Sequence, residues 1–337
     1  MFYTDLNHFD CSKIERNVYD LSQNFMFFCL LPKSLKNEIL NYLNEEAYEA
    51  YQYILNIDDE FSTQINEAKF KILGSFSYYS YLNEEIFNHI DHLKKQTCQK
   101  FLFFYSRDDD KEFNLKYKFG LTCNDFVLFR TGGFKTKAKK NSYGMPYVIN
   151  DYFNGMYKDK HLSLSFCGKP DNNKFKLQII DSTKNLKYSD FIIRKHWANN
   201  SKKPVGLNAL SSYNLGPDKK SKKEFIDNIE RNLYGLCVRG VSNSSYRLYE
   251  LFMMGRIPVF LNTDCNLPFE NEIPYETNTV MIKNFNNIDY EIRNFHDSHT
   301  EKELLNIQKQ NREIWLKYFR VDGNYNQTKK LLTHLIE

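Results

Sequence analysis

Residues Tyr234 to Phe269 read YGLCVRGVSNSSYRLYELFMMGRIPVFLNTDCNLPF. The pattern predicts a strand, a polar turn, a helix, a Gly255-Arg256-Ile257-Pro258 turn, a second strand and a loop. The helix is apolar nearly all round, which predicts burial. It nevertheless carries Arg247 and Glu250. At about 100° per residue these two stand about 60° apart on one stripe. Two charges on a buried helix need each other or a polar ligand.

The turn before this helix suits an anion. Ser242, Asn243, Ser244 and Ser245 supply short oxygens of the kind that cap helix starts. Free backbone N–H groups and the positive end of the helix dipole point into that turn. A phosphate there meets backbone donors and Arg247, one turn in. Arg239, ending the preceding strand, adds a fork-shaped donor on the same side. Glu250 lies one turn deeper, where a carboxylate can accept from both hydroxyls of a ribose. A plainer set of assignments uses the same residues. Arg247 and Glu250, three apart, pair with each other, the serines form an ordinary cap, and Arg239 is a solvated strand end.

The segment resembles the signature of exostosin-family glycosyltransferases, especially their bacterial and viral relatives. The matching pieces are Leu236-Cys237-Val238-Arg239-Gly240, Ser245-Tyr246-Arg247-Leu248-Tyr249-Glu250, Gly255-Arg256-Ile257-Pro258-Val259, and Thr263-Asp264-Cys265 with Leu267-Pro268. Gln308 through Phe319 (QKQNREIWLKYF) is similar to the closing helix of that family. Upstream, Ser165-Phe166-Cys167-Gly168 and Asp190-Phe191-Ile192-Ile193-Arg194 extend the likeness back to about Leu162. The resemblance implies an α/β fold of GT-B type, two Rossmann-like lobes facing across a cleft, with a C-terminal helix crossing back to the first lobe. Residues 1–158 would form the acceptor-side lobe, 159–320 the nucleotide-sugar lobe and 321–337 the returning helix. The implied activity is inverting and independent of a metal. It uses a nucleotide-diphosphate sugar, a UDP-sugar in the first instance, to extend a surface polysaccharide, capsule or lipopolysaccharide acceptor. Arg247 would meet the diphosphate and Glu250 the ribose, with Arg239, Gly240, Asn243, Ser245 and Tyr246 lining the phosphate and base side. A non-catalytic glycan-binding or scaffold subunit of a transferase complex is the alternative.

The 337 residues suffice for two lobes. A formal charge of +4 is too mild to argue for nucleic acid. Lysines gather at Lys135, Lys137, Lys139 and Lys140, and at Lys219, Lys220, Lys222 and Lys223. These are solvated loops or attraction points for an anionic membrane face or an anionic polymer. The seven cysteines are odd in number and share no Cys-x-x-Cys spacing, which fits buried thiols in a reducing compartment rather than disulfides or zinc. Asp5, His8 and Asp10 interrupt the start of the chain, and no apolar run approaches ~20 residues. The expected location is therefore cytoplasmic, either free or touching the inner face of the membrane.

Strands are expected at Phe2–Leu6, Phe25–Leu31, Phe70–Phe76, Phe101–Ser106, Phe126–Arg130 and Tyr147–Asn150, with helices at Leu35–Leu55 and Glu84–Lys95. Gly168-Lys169, following the strand Leu162–Cys167, lets backbone approach a diphosphate or forms a plain turn. Arg194 ends its strand and either faces the cleft or is structural. An inverting transfer needs a base that takes the acceptor proton. Asp151 is the candidate, with His8 and Asp125 as alternatives. Asp108-Asp109-Asp110 matches an Asp-x-Asp metal motif or a solvated loop. His89 and His92 sit one helical turn apart but lack an evident third ligand.

Overall fold

A computed structural model of the chain describes residues 2–3, 29, 33–42, 48–49, 51–57, 70–72, 100–105, 126–138, 141–170, 173–194, 219–240 and 243–335. Its apolar runs form strands that all pair in parallel. The first sheet contains β1 (Phe2–Tyr3), β2 (Phe70–Ile72), β3 (Lys100–Tyr105), β4 (Phe126–Arg130) and β5 (Ser142–Gly144), in that order. The second contains β6 (Leu164–Gly168), β7 (Ser189–Ile193), β8 (Tyr234–Cys237), β9 (Ile257–Leu261) and β10 (Val280–Ile282), in the order β10-β9-β8-β6-β7. Parallel strands need crossovers, and helices supply them. The helices are α1 (Lys33–Tyr42), α2 (Lys174–Thr183), α3 (Lys219–Glu230), α4 (Tyr246–Met253), α5 (Tyr275–Asn278), α6 (Ile288–Ser298), α7 (Glu301–Ile314) and α8 (Val321–His334). The expected α/β class holds.

The chain divides into two compact units. One comprises Met1–Val148, Cys265–Phe269 and Arg320–Glu337; the other comprises Ile149–Asp264 and Glu270–Phe319. In the first, α8 packs on a 3₁₀ turn at Gln52–Asn56, and Arg320 lies 4.6 Å over the Tyr53 ring. The segment Cys265–Phe269 is bracketed by two left-handed residues, Asp264 (φ 64°) and Phe269 (φ 50°). Within the first unit it bridges Phe134 through Cys265, and Asn266 N donates to Gly133 O at 3.1 Å. Cys29, expected in a strand, is helical. Tyr147, Val148 and Asn150 are buried, but Tyr147–Asn150 forms no strand. Pro146, just before it, has no N–H to give to a ladder. No helix among the described residues is long and apolar enough to cross a membrane.

The second unit carries the core that positions the site. β9 lies between β8 and β10 and is buried at all five positions, as expected of a strand covered on both faces. α4 sits directly on β8, because a Cβ at Gly235 would collide with the Leu251 side chain. Its far end is set by Gly255 (φ 58°), which closes the helix in the left-handed conformation that glycine favours. α7 continues as a π-helical turn, Trp315–Phe319, that places the Phe319 ring 5.1 Å from Tyr249 and 5.4 Å from Phe252.

Arg256, next to Gly255, is fully buried and donates to five carbonyl oxygens: Ile229 (3.3 Å), Glu230 (2.9 Å), Met254 (2.9 Å), Gly255 (3.4 Å) and Met156 (3.2 Å). It thus joins the carboxyl ends of α3 and α4, where the dipole favours a cation. Burial pulls its pKa down to about 10, so it remains charged at neutral pH. Arg256→Met strands these carbonyls and is expected to lower unfolding stability by about 3 kcal/mol in urea titration, with Arg256→Lys recovering part. A methionine variant as stable as wild type would show that the carbonyls find other partners.

Candidate functional site

Strands β7 and β8 flank β6 on opposite sides. The chain therefore leaves β6 toward one side of the sheet and later returns on the other. At such a reversal the loops after the two strands part, and ligands of open parallel sheets bind at their carboxyl ends. The first sheet keeps sequential order and shows no reversal among its described strands. The segments that part begin at Lys169, directly after Gly168 ends β6, and at Val238-Arg239-Gly240 after β8. Added Cβ atoms at Gly168 and Gly240 would meet no obstruction: one reaches only an ordinary contact with the Phe166 ring, the other open space. Packing within the protein therefore does not demand glycine at either position, while a bare backbone here allows a ligand to approach closely.

α4 delivers Arg247 to this edge. Its Nη2 donates to the carbonyl of Cys167 in β6 at 2.6 Å, tying the helix start across β8 to the neighbouring strand. Its Nε lies 3.1 Å from Glu250 Oε2, and its guanidinium rests 4.5 Å over the Phe225 ring of α3. The two side chains are 13% and 21% exposed. They pair as the plainer assignment proposed, yet the pair is incomplete. Nε, although close to Glu250, is not aligned for a hydrogen bond, and Nη1 is buried without one. Arg239 repeats the pattern: its guanidinium lies 5.9 Å over the Phe175 ring and its Nε is buried with no hydrogen-bond partner. Arg194 is better occupied, donating through Nη2 to Ser221 O (2.8 Å) and Glu224 Oε2 (3.2 Å). Burial raises the Cys167 thiol, while Arg194 and Arg247 act on it in the opposite sense, which places both arginines around the end of β6.

Other expected residues fall elsewhere. Asn243 is buried, and its amide Nδ2 donates to Thr263 O (3.0 Å) and Asp264 O (3.1 Å) while Oδ1 accepts from the Thr263 hydroxyl (2.5 Å). It holds the turn against the loop after β9 rather than presenting a free amide. Ser245 occupies the cap position of α4, but its hydroxyl makes no capping bond, and Tyr246 is the first helical residue. Asp151 accepts from both ends of the Arg312 fork, at 2.8 and 2.6 Å, and also from Phe153 N at 3.2 Å. Both its oxygens accept hydrogen bonds, so it tethers its segment to α7. Gln308 secures the same segment through Lys158 N (2.8 Å) and Lys158 O (2.7 Å). Asp108, Asp109, Asp110, His8, His89, His92 and Asp125 lie outside the described residues. Among the described residues, no group of three or more His, Cys, Asp or Glu is placed to hold a metal ion.

Phe225, Glu224 and the Cys167 carbonyl do not figure among the expected site residues, and neither does Asn173. The last carried a signal: an asparagine directly before the apolar-periodic KFKLQII is a cap pattern.

The family model described as the exostosin GT47 domain matches residues 90–291, more than half of the chain. Similar solved structures include a crystal structure of an alpha1,3-fucosyltransferase, 13% identical, covering 92% of this chain and 81% of that one with a TM-score of 0.39. Another is an alpha1,3-fucosyltransferase with GDP-fucose, 15% identical, covering 77% of this chain and 75% of that one with a TM-score of 0.37. No curated protein matches.

Burial raises the Glu250 carboxyl above its ordinary value of 4.5, with Arg247 opposing the rise. Above that value the unfolded chain has lost this proton while the folded chain still holds it. Wild type therefore loses stability, relative to a side chain that does not titrate, as pH climbs from about 4.5 through the raised native pKa. Glu250→Gln is expected to gain on wild type across that window, read by urea unfolding at steps from about pH 4 to about pH 7. A difference that stays flat shows a carboxyl with an ordinary pKa.

Proposed function

The chain belongs to the exostosin GT47 family of glycosyltransferases, and from that membership we propose that it transfers a sugar, with inversion and without a metal, from a nucleotide-diphosphate sugar to a growing surface polysaccharide or lipopolysaccharide. A UDP-sugar is the proposed donor. The observation that supports this is the condition of Arg247 and Arg239. Both are drawn to the carboxyl edge where the second sheet reverses, and both keep buried N–H groups with no hydrogen-bond partner. A buried donor without a partner costs about 1–3 kcal/mol, more for a charged group. A diphosphate would satisfy these donors.

The chemistry follows from where charge appears. When the sugar carbon is attacked, the bond to the diphosphate breaks and negative charge grows on the departing oxygen. Preorganised cationic donors stabilise that charge without rearranging during the step. Arg247 is preorganised by its bond to Cys167 O and by the Phe225 ring. Glu250, one turn deeper and partly exposed, would accept from ribose hydroxyls. Gly168 and Gly240 would admit the phosphates close to backbone, with Lys169 and Arg194 adding positive charge.

Titration calorimetry with UDP and with GDP on wild type, Arg247→Ala and Glu250→Ala tests the assignment. The expected result is binding of one nucleotide by wild type and a loss of about 10- to 100-fold in the arginine variant. If wild type binds while both variants match it, the nucleotide sits elsewhere. Nucleotide release from a donor sugar in excess EDTA is expected as well. No release at all favours the glycan-binding subunit, and release abolished by EDTA removes the metal-free mechanism.

A further inference from the structure

Asn173 links two loops that the sheet reversal separates. Its Oδ1 caps α2, accepting from Phe175 N (3.0 Å) and Lys176 N (3.4 Å). Its Nδ2 points the other way and donates to Gly240 O at 2.7 Å. One side chain therefore closes the α2 start and holds the loop that follows β8. Gly240 N in turn donates to Ser244 O at 3.3 Å, closing the turn that leads into α4. Asn243 fixes that turn from its other side, through Thr263 and Asp264. Two asparagine amides thus hold the described ends of this turn, and the Asn173 amide reaches across from the β6 loop to the β8 loop.

We infer that Asn173 is a positioning residue for nucleotide binding: it sets the Arg239-Gly240 backbone at the distance from the β6 loop that a diphosphate requires. This rests on the proposed nucleotide site. An anion held by several converging donors is sensitive to small displacements of any one of them. An untethered carbonyl at Gly240 would also leave an acceptor unsatisfied beside the phosphates and let the turn drift. A cap alone needs only an oxygen acceptor, which serine and aspartate supply as well as asparagine does. The Nδ2 bond is the part they cannot reproduce.

Asn173→Ser keeps a capping oxygen, remains neutral and is too short to reach Gly240. Asn173→Asp keeps the cap and replaces the donor with a negative oxygen facing the carbonyl. Asn173→Ala loses both bonds. Thermal melting and UDP or GDP calorimetry on the four proteins separate the roles. The serine variant is expected to melt close to wild type but bind the nucleotide about tenfold more weakly, the equivalent of one hydrogen bond, while aspartate also loses some melting temperature to the repulsion between its oxygen and the carbonyl. Alanine should weaken binding similarly and lower the melting temperature too. Serine binding like wild type, whether or not aspartate weakens it, overturns the tether and assigns any aspartate effect to charge. A serine variant whose binding loss is matched by a melting loss as large as that of alanine also overturns it, leaving Asn173 a cap only. Failure of wild type to bind either nucleotide sinks the nucleotide site itself and this inference with it. A nucleotide bound by wild type and lost in Arg247→Ala, but unaffected in Asn173→Ser, sinks the tether alone.

Discussion

The second unit turns on one guanidinium. Arg247 is pulled out of water at the edge of a parallel sheet, where isolation of a charge is expensive. Three contacts offset that cost: the Cys167 carbonyl, the Glu250 carboxylate and the Phe225 ring. Each comes from a different element, so one side chain registers α4 against β6 and α3 together. The contacts do not complete it. The carboxylate sits where it neutralises charge without accepting a well-aligned hydrogen bond, and Nη1 has no acceptor among the described residues. A buried ion pair is poor evidence for stability taken alone. An incomplete one at the carboxyl edge of a sheet reversal is the observation on which the proposed ligand site rests.

Arg256 shows the opposite condition just beyond the other end of the same helix. It is more deeply buried than Arg247 and has no carboxylate in hydrogen-bond contact, yet its donors are spent on five carbonyls. It lies at the amino edge of the sheet, where helix carboxyl ends converge and their dipoles supply partial negative charge. The two arginines share a helix and a core but differ in saturation. The saturated one ties helix ends together, and the unsaturated one is the one to which a ligand role is proposed. The same criterion sorts the rest of the site. Asn243 and Asp151 have polar atoms fully engaged by neighbouring segments. Arg239, like Arg247, keeps a buried Nε unspent.

Much of this was legible in the sequence, and what was legible was local. The succession from β8 through α4 to β9 follows from apolar runs punctuated by Gly240, Gly255 and Pro258, all within one short stretch. The pairing of Arg247 with Glu250 follows from helical spacing. α6 went unseen because its buried positions Ile288, Ile292 and His296 are diluted by Asp289, Tyr290, Glu291 and Arg293. Tyr147–Asn150 misled because burial and strand pairing give the same apolar signal. For Asn243, the residue type suited an anion-binding turn, but its partners Thr263 and Asp264 lie about twenty positions away and are fixed only by how β9 packs. Asn173 divides the same way: its cap is readable from the residues that follow it, whereas its bond to Gly240 spans 67 positions.

This division has a physical origin. Residue type and spacing determine what a side chain is able to bond with, but tertiary packing determines which of those bonds are already made. A functional reading of sequence therefore over-collects: it gathers every arginine, asparagine, serine and aspartate at a strand end, since all of them suit phosphate or proton chemistry. The fold then spends most of them on neighbouring backbone. What survives is a pair of guanidiniums with buried donors left over, two glycines whose missing side chains packing does not explain, and an asparagine amide linking the two loops. That residue is small, and its chemistry is coherent. Every member either offers positive charge, exposes backbone N–H, or fixes the spacing between groups that do, and a doubly charged diphosphate is the one part of a nucleotide sugar that calls on all three.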